Sequence, residues 1–271
     1  MKNTTFARLA LLFALILPAA LVAQAPAPTE KPVVPDWAIP GSATHKQGPP
    51  PKDFHRQSIH QKTPIGIFSA QSDIGAALTP GSASFDPAMG KYTINSAGYN
   101  IWYTRDEFRF LWNKMSGDVS LAADVAFPDA NGYGDRKAVL VIRQDLEDDS
   151  KQVVVALHGE GMIQLAQRPE KGALTRDREF RIGGRGRPTG KSPDSLVNDI
   201  ARRIGIEKRG NRFALFVSVE GEPMTQYGPP LELDIDGPFY VGVGFCAHLP
   251  DVVDTAVLSN VLLVNRAGKV R

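Results

Sequence analysis

Four side chains within one short stretch of this chain have the donors and shapes needed to hold a hydroxyl-rich or carboxylate-bearing ligand: Arg143, His158, Gln164 and Arg168. A guanidinium presents paired N–H donors in one plane, and an imidazole and a primary amide add mixed donor and acceptor capacity beside it. All four lie in KAVLVIRQDLEDDSKQVVVALHGEGMIQLAQR, residues 137–168, where three apolar runs at 138–142, 153–157 and 162–166 are separated by turn-rich connections. Each run has strand length, is rich in β-branched residues and lacks a helical period, which predicts an antiparallel meander in the middle of a β-sandwich. On those strands Arg143 is in phase with Val139 and Val141, His158 with Val154 and Ala156, and Gln164 and Arg168 with Met162. If the register aligns these faces, the four polar groups converge on one side of the sheet. Strand ends reaching into solvent would account for the same pattern.

A second group is aromatic and polar: Trp102, Tyr103, Asp106, Phe108, Phe110 and Trp112. On a strand Phe108, Phe110 and Trp112 share one face, and Arg109, Leu111 and Asn113 take the other. A sugar-binding cleft needs a flat aromatic surface for the C–H faces of the ring and fixed polar groups for its hydroxyls. An exposed Trp102 or Trp112 with Asp106 would supply both, whereas core filling is the alternative use of such aromatics.

The elements that must position these groups begin after a leader. Lys2 and Arg8 precede an apolar segment at 9–22 that ends in small residues, which reads as a secretory signal peptide of residues 1–23. That segment is short for a membrane span, and no second apolar run follows it, so no membrane span is expected once the signal is removed. The mature chain is then exported, periplasmic or extracellular. Residues 24–62 carry prolines at 26, 28, 32, 35, 40 and 49–51, which favour an extended, hydrated tether or a strap lying on the domain. Trp37 in PDWAIPG marks a spot where that segment could dock. His45, His55 and His60 fall in this part without acidic or thiol partners, so solvated histidines are favoured over a metal cluster.

Residues 63–271 are enough for one domain with a sizeable core. Strand-like runs recur at 65–68, 82–85, 92–95, 108–112, 119–127, 203–208, 212–219, 231–235, 239–245 and 255–264, besides the meander. About a dozen short strands and no long amphipathic helix predict an all-β sandwich or jelly roll. The one helical candidate is SPDSLVNDIAR at 192–202, with Ser192 as cap and Pro193 in the first turn.

Several blocks carry a resemblance. SDIG at 72–75, KYTINSAGYNIWYTRDEFRFLWNKMSGDVSLAADV at 91–125, VIR and VALHGEG of the meander, IEKRGNRFALFVSVEGEPM, and VGVGFCAHLP followed by TAVLSNVLL resemble a concanavalin A-like family of unassigned function. Its sandwich is similar to the C-terminal domain of some β-xylosidases, and such exported modules also stand beside TolB-like propellers. The resemblance covers nearly all of residues 63–265 and implies a jelly roll whose concave face, in relatives, holds carbohydrate. Met224 stands where such hairpins often carry tryptophan.

Glu232, Asp234 and Asp236 form an alternating set that resembles the E-x-D-x-E pattern of laminarinase-type glucanases, where paired carboxylates act as nucleophile and acid. Against a hydrolase, the last acid is Asp, and an unbulged strand spaces Glu232 and Asp236 by about 13 Å, beyond the roughly 5 to 5.5 Å that retaining chemistry uses. Charge on an edge strand explains the same residues. Calcium has possible oxygen ligands in the acidic turns at 145–149 and 251–254, although LEDDSK reads first as a solvated hairpin loop; no other cofactor is implied. There is no HExxH, GxSxG, phosphate-binding loop or dinucleotide fingerprint. The single cysteine, Cys246, excludes an internal disulfide and reads as a buried small hydrophobe.

Net charge is +2 with 22% charged residues, an ordinary soluble surface apart from the glycine-rich basic stretch GGRGRPTGK at 183–191, flanked by Arg176, Arg178, Arg181, Arg202 and Arg203. Without interleaved aromatics this stretch does not read as a nucleic-acid site. The expectation is therefore an exported, non-catalytic binding module for a glycan or other envelope polymer, with Trp102, Asp106, Trp112, Arg143, His158, Gln164 and Arg168 as its site. A hydrolase using Glu232 and Asp236, and a module that docks on an envelope protein partner, are the alternatives.

Overall fold

In the computed structural model, which describes residues 55–180, 202–218 and 222–271, the apolar runs pair into two antiparallel sheets. With strands numbered along the chain, the first sheet runs β1 (Ile59–Gln61), β2 (Ala70–Ile74), β7 (Phe108–Met115), β17 (Phe239–Cys246), β9 (Lys137–Arg143), β10 (Gln152–His158), β11 (Ile163–Arg168) and β12 (Arg176–Phe180). The second runs β15 (Thr225–Gln226), β14 (Arg212–Ser218), β13 (Arg203–Arg209), β8 (Val119–Ala126), β18 (Asp254–Val264), β4 (Lys91–Ser96) and β3 (Ser82–Asp86), with β16 (Leu231–Glu232) also pairing with β14. A short hairpin, β5 (Ile101–Trp102) and β6 (Arg105–Asp106), stands apart from both. Among the described residues there is no helix, and the architecture is the expected all-β jelly-roll sandwich. The candidate helix at 192–202 and the basic stretch at 183–191 fall almost entirely outside the described residues.

The core explains why the meander is apolar without alternation. One face of β9, β10 and β11 packs between the sheets, where Leu140, Ile142, Val153, Val155, Ile163 and Leu165 meet Leu121, Ile206, Phe213 and Leu258 of the second sheet. The opposite face carries a second apolar layer of Val139, Val141, Val154, Ala156 and Ala166, continued by Phe108 and Phe110 of β7. That layer is roofed by Ile101 and Trp102 of the β5–β6 hairpin, so every residue of β9 and β10 is buried. A strand covered on both faces has no polar phase, and burial of each such side chain contributes about 1.5–3 kcal/mol. The aromatics Phe108 and Phe110 thus fill this outer layer.

The meander forms in the expected antiparallel order and lies in one half of its sheet, because β17 inserts between β7 and β9. Residues just before the expected domain start also belong to the sheet: Ile59–Gln61 pair with β2, and Arg56 reaches Glu107 at 3.0 Å. The runs at 65–68 and 231–235 are shorter in the structure than expected. The first is a single Ile65–Phe68 bridge, and the second pairs only through Leu231 and Glu232.

Candidate ligand-binding site

Register places the four polar residues of the meander on the outer face but at opposite ends of it. Gln152 stands opposite both Arg143 and Arg168, whereas His158 stands opposite Lys137, and Ala156 opposite Gln164. Four steps along the strand separate Gln164 from Arg168, about 13 Å.

At the arginine end the three charged groups close on one another. Arg168 donates from Nη2 to Asp106 Oδ1 at 2.6 Å and from Nη1 to Asp106 Oδ2 at 2.8 Å. Gln152 Nε2 donates to the same Oδ2 at 2.8 Å, and Arg143 Nη2 approaches it at 3.4 Å. Arg143 also lies over the Phe108 ring, 5.5 Å from its centroid. Burial lowers the Arg143 guanidinium to about 10, against the opposing pull of Asp106. Asp106, Arg143 and Arg168 have no exposed surface, which corrects the expectation that they meet a ligand directly. They instead fix the hairpin: Arg168 donates to the Trp102 carbonyl at 3.1 Å, and Asp106 N donates to Asp148 O at 2.7 Å. Trp102 is positioned from below by a buried ion pair.

At the other end a cavity of about 160 Å³ opens between the hairpin and the sheet, lined by Asn100, Trp102, Asp135, Lys137, His158, Met162, Gln164, Glu179 and His248. Trp102, His158 and Gln164 of the expected set therefore come together here. His158 Nε2 lies 2.9 Å from Gln164 Oε1, and Gln164 Nε2 donates to Asp177 Oδ2 at 3.1 Å. That chain of bonds requires the Nε2 proton. Asp135 Oδ1 stands 3.9 Å from His158 Nδ1, too far for a hydrogen bond.

The two partners pull in opposite senses. Interaction with His158 and the nearby positive charges holds the Asp135 carboxyl low, while burial and then the Lys137 charge hold the His158 imidazole below its usual range. The long Nδ1 distance decides for a neutral imidazole, so Nδ1 is a bare acceptor, buried and without a hydrogen-bond partner.

Lys137 and His248 were missed at the sequence level. Lys137 lies in phase with Val139 and Val141, so a cation at the head of an apolar strand was the available signal. Its Nζ donates to Asn100 Oδ1 at 2.6 Å, and burial pushes its pKa down. His248 follows β17 with φ of +64°, a conformation that a non-glycine side chain adopts at a cost, and its ring stacks on Tyr133 at 5.3 Å. No spacing pattern marks such a loop residue.

Trp112 lies two strands over from β9, with Nε1 donating to Ser72 Oγ at 2.9 Å and its ring edge-on to Tyr240 at 4.9 Å. It does not line the cavity. Glu232 sits on β16 of the second sheet, and Glu232, Asp234 and Asp236 alternate as exposed residues with buried Leu231, Leu233 and Ile235. They decorate an outer edge. The acidic turns meet basic side chains: Asp145 pairs with Lys171 at 3.2 Å and Asp254 with Arg136 at 2.7 Å. His55, Asp148 and Asp149 bring possible metal-ligand atoms within 4.8 Å of one another, but Arg105 lies 3.7 Å from each carboxylate and Lys171 lies 3.3 Å from Asp149. These cations already compensate the charge that a metal would.

No protein-family model matches the chain, and no curated relative does. Among solved structures, a functionally unknown protein from Saccharomyces cerevisiae is similar over 70% of this chain and 95% of its own, at 16% identity and a TM-score of 0.50. A carbohydrate binding module, CBM66, from Bacillus subtilis (15% identity, 68% and 91% coverage, TM-score 0.39) and an alginate lyase from Klebsiella pneumoniae (15%, 69% and 85%, TM-score 0.43) are more distant. The fold is a two-sheet antiparallel β-sandwich, similar to that of the yeast protein. At these identities the likeness concerns the fold alone.

Proposed function

We propose that this chain is an exported, non-catalytic binding module that holds one ring of a glycan, or of another hydroxyl-rich envelope polymer, in the cavity beneath Trp102. The observation that carries this reading is His158 Nδ1, a buried acceptor without a hydrogen-bond partner in a residue that lines the cavity. An unmade bond of this kind costs about 1–3 kcal/mol, which a ligand hydroxyl would recover. Trp102, half-buried and held by Arg168, offers an aromatic face, and Lys137 and Gln164 supply further polar contacts.

The cavity is smaller than the roughly 300–1,000 Å³ of pockets for drug-sized ligands, which suits one ring and not a multi-ring cleft. Export rests on the basic and apolar leader of residues 1–23 and is checked by fractionation with N-terminal sequencing of the mature protein. Hydrolysis by Glu232 and Asp236 is disfavoured because Glu232 pairs into the second sheet and neither residue lines this cavity. A polysaccharide and glycan-array screen of the mature protein tests the reading. Binding to at least one glycan supports it, and an empty screen refutes it.

A further inference from the structure

Carboxylates collect at the cavity end of the outer face. In the register of β11 and β12, Glu179 stands opposite Gln164 and Asp177 opposite Ala166, so both carboxylates share the outer face with Gln164. Arg176 and Arg178 alternate out of phase with them, and Arg178 donates to the Pro229 carbonyl at 2.7 Å and to that of Pro230 at 3.2 Å. Asp135 lines the wall beside His158, and Glu160 is close enough to act on Tyr133 next to it. Lys137 is the one lysine or arginine among the described residues lining the cavity, and its Nζ already donates to Asn100. Asp177 is raised, first by burial and then by repulsion from Glu179, which outweigh the hydrogen bond from Gln164, a backbone hydrogen bond and the Lys137 charge. The acceptor His158 Nδ1, buried and without a hydrogen-bond partner, independently marks this pocket as one that a ligand completes.

Resting on the glycan reading above, we propose that the ring bound here is an amino sugar with a free amine, its ammonium directed to Asp177 and Glu179 and a hydroxyl donated to His158 Nδ1. An ammonium group supplies three donors and one positive charge, matching a group of carboxylates whose one described lining lysine, Lys137, is buried and already bonded to Asn100. A uronate would place its carboxylate among like charges, and an N-acetylated sugar would present neither the charge nor the three donors.

The test is calorimetric titration of the full mature chain, at about pH 6, with length-matched oligomers of glucosamine, N-acetylglucosamine and a uronate, and with oligolysine as a charge control. At that pH the sugar amine is protonated. The free-amine oligomer binds up to about fivefold more tightly than the acetylated one, and the double variant Asp177→Asn with Glu179→Gln, shown to keep its unfolding midpoint, loses that preference. Equal or tighter binding of the acetylated oligomer or the uronate overturns the amine assignment and leaves the glycan reading standing. Binding of oligolysine as tightly as glucosamine overturns it as well, because charge alone would then be recognised. Failure of every sugar to bind removes both readings together.

Discussion

Arg168 clasps Asp106 through both terminal nitrogens, at 2.6 and 2.8 Å, in a position where neither side chain reaches solvent. The pair joins the last strand of the meander to the hairpin that carries Trp102. Arg143 and Gln152 complete the shell around the same carboxylate. Replacing one partner leaves buried charge without compensation, which costs more than the intact pair contributes. Asp106→Asn, nearly unchanged in volume, is expected to lower stability by about 3–5 kcal/mol. Urea unfolding followed by fluorescence measures it.

The two tryptophans separate by role. Trp112 packs on Tyr240 and bonds Ser72, so Trp112→Ala is expected to cost about 2 kcal/mol, less than the roughly 3–5 of a fully buried aromatic, and to leave ligand affinity unchanged. Trp102→Ala is expected to reduce glycan affinity at least about tenfold, the loss of a ring-stacking face worth over 1 kcal/mol. Thermal melts and titrations on both variants check the pair of outcomes.

Stability should fall in mild acid. The His158 imidazole is held below its usual 6.5 by burial, so the unfolded chain takes up that proton first. Its contribution is intact above about pH 6.5 and declines as pH drops through the lower, folded value. Urea midpoints measured at pH 7.5 and 5.5 should differ, and His158→Gln should narrow the difference.

Cys246 faces Lys137 across the β17–β9 pair and has no exposed surface. Burial pushes its thiol up to about 12, so the native protein should resist thiol-specific reagents at pH 8 and react fully once unfolded. Labelling against urea concentration should track the global unfolding curve.

The meander was legible because both of its faces are covered, which writes continuous β-branched runs into the sequence. Its register was not legible. Whether Arg143 stands beside Gln164 or at the far end depends on which residue faces Gln152, and the turns at 144–151 and 159–162 do not declare that. Asp106 read as a ligand-binding acid because its counter-ions, Arg143 and Arg168, lie 37 and 62 residues away. His158 and Gln164 were found by strand phase. Lys137 was overlooked at a strand's first position, and His248 lies in a loop where phase carries no information.

The central claim, that a ring binds beneath Trp102 against His158 and Gln164, is tested most directly by titrating the best glycan from the screen into the wild-type chain, Gln164→Ala and Trp112→Ala, each first shown to be folded. Loss of binding in Gln164→Ala with wild-type affinity in Trp112→Ala is the predicted result. Wild-type affinity in Gln164→Ala, or loss of binding in Trp112→Ala alone, would place the ligand elsewhere and contradict the account.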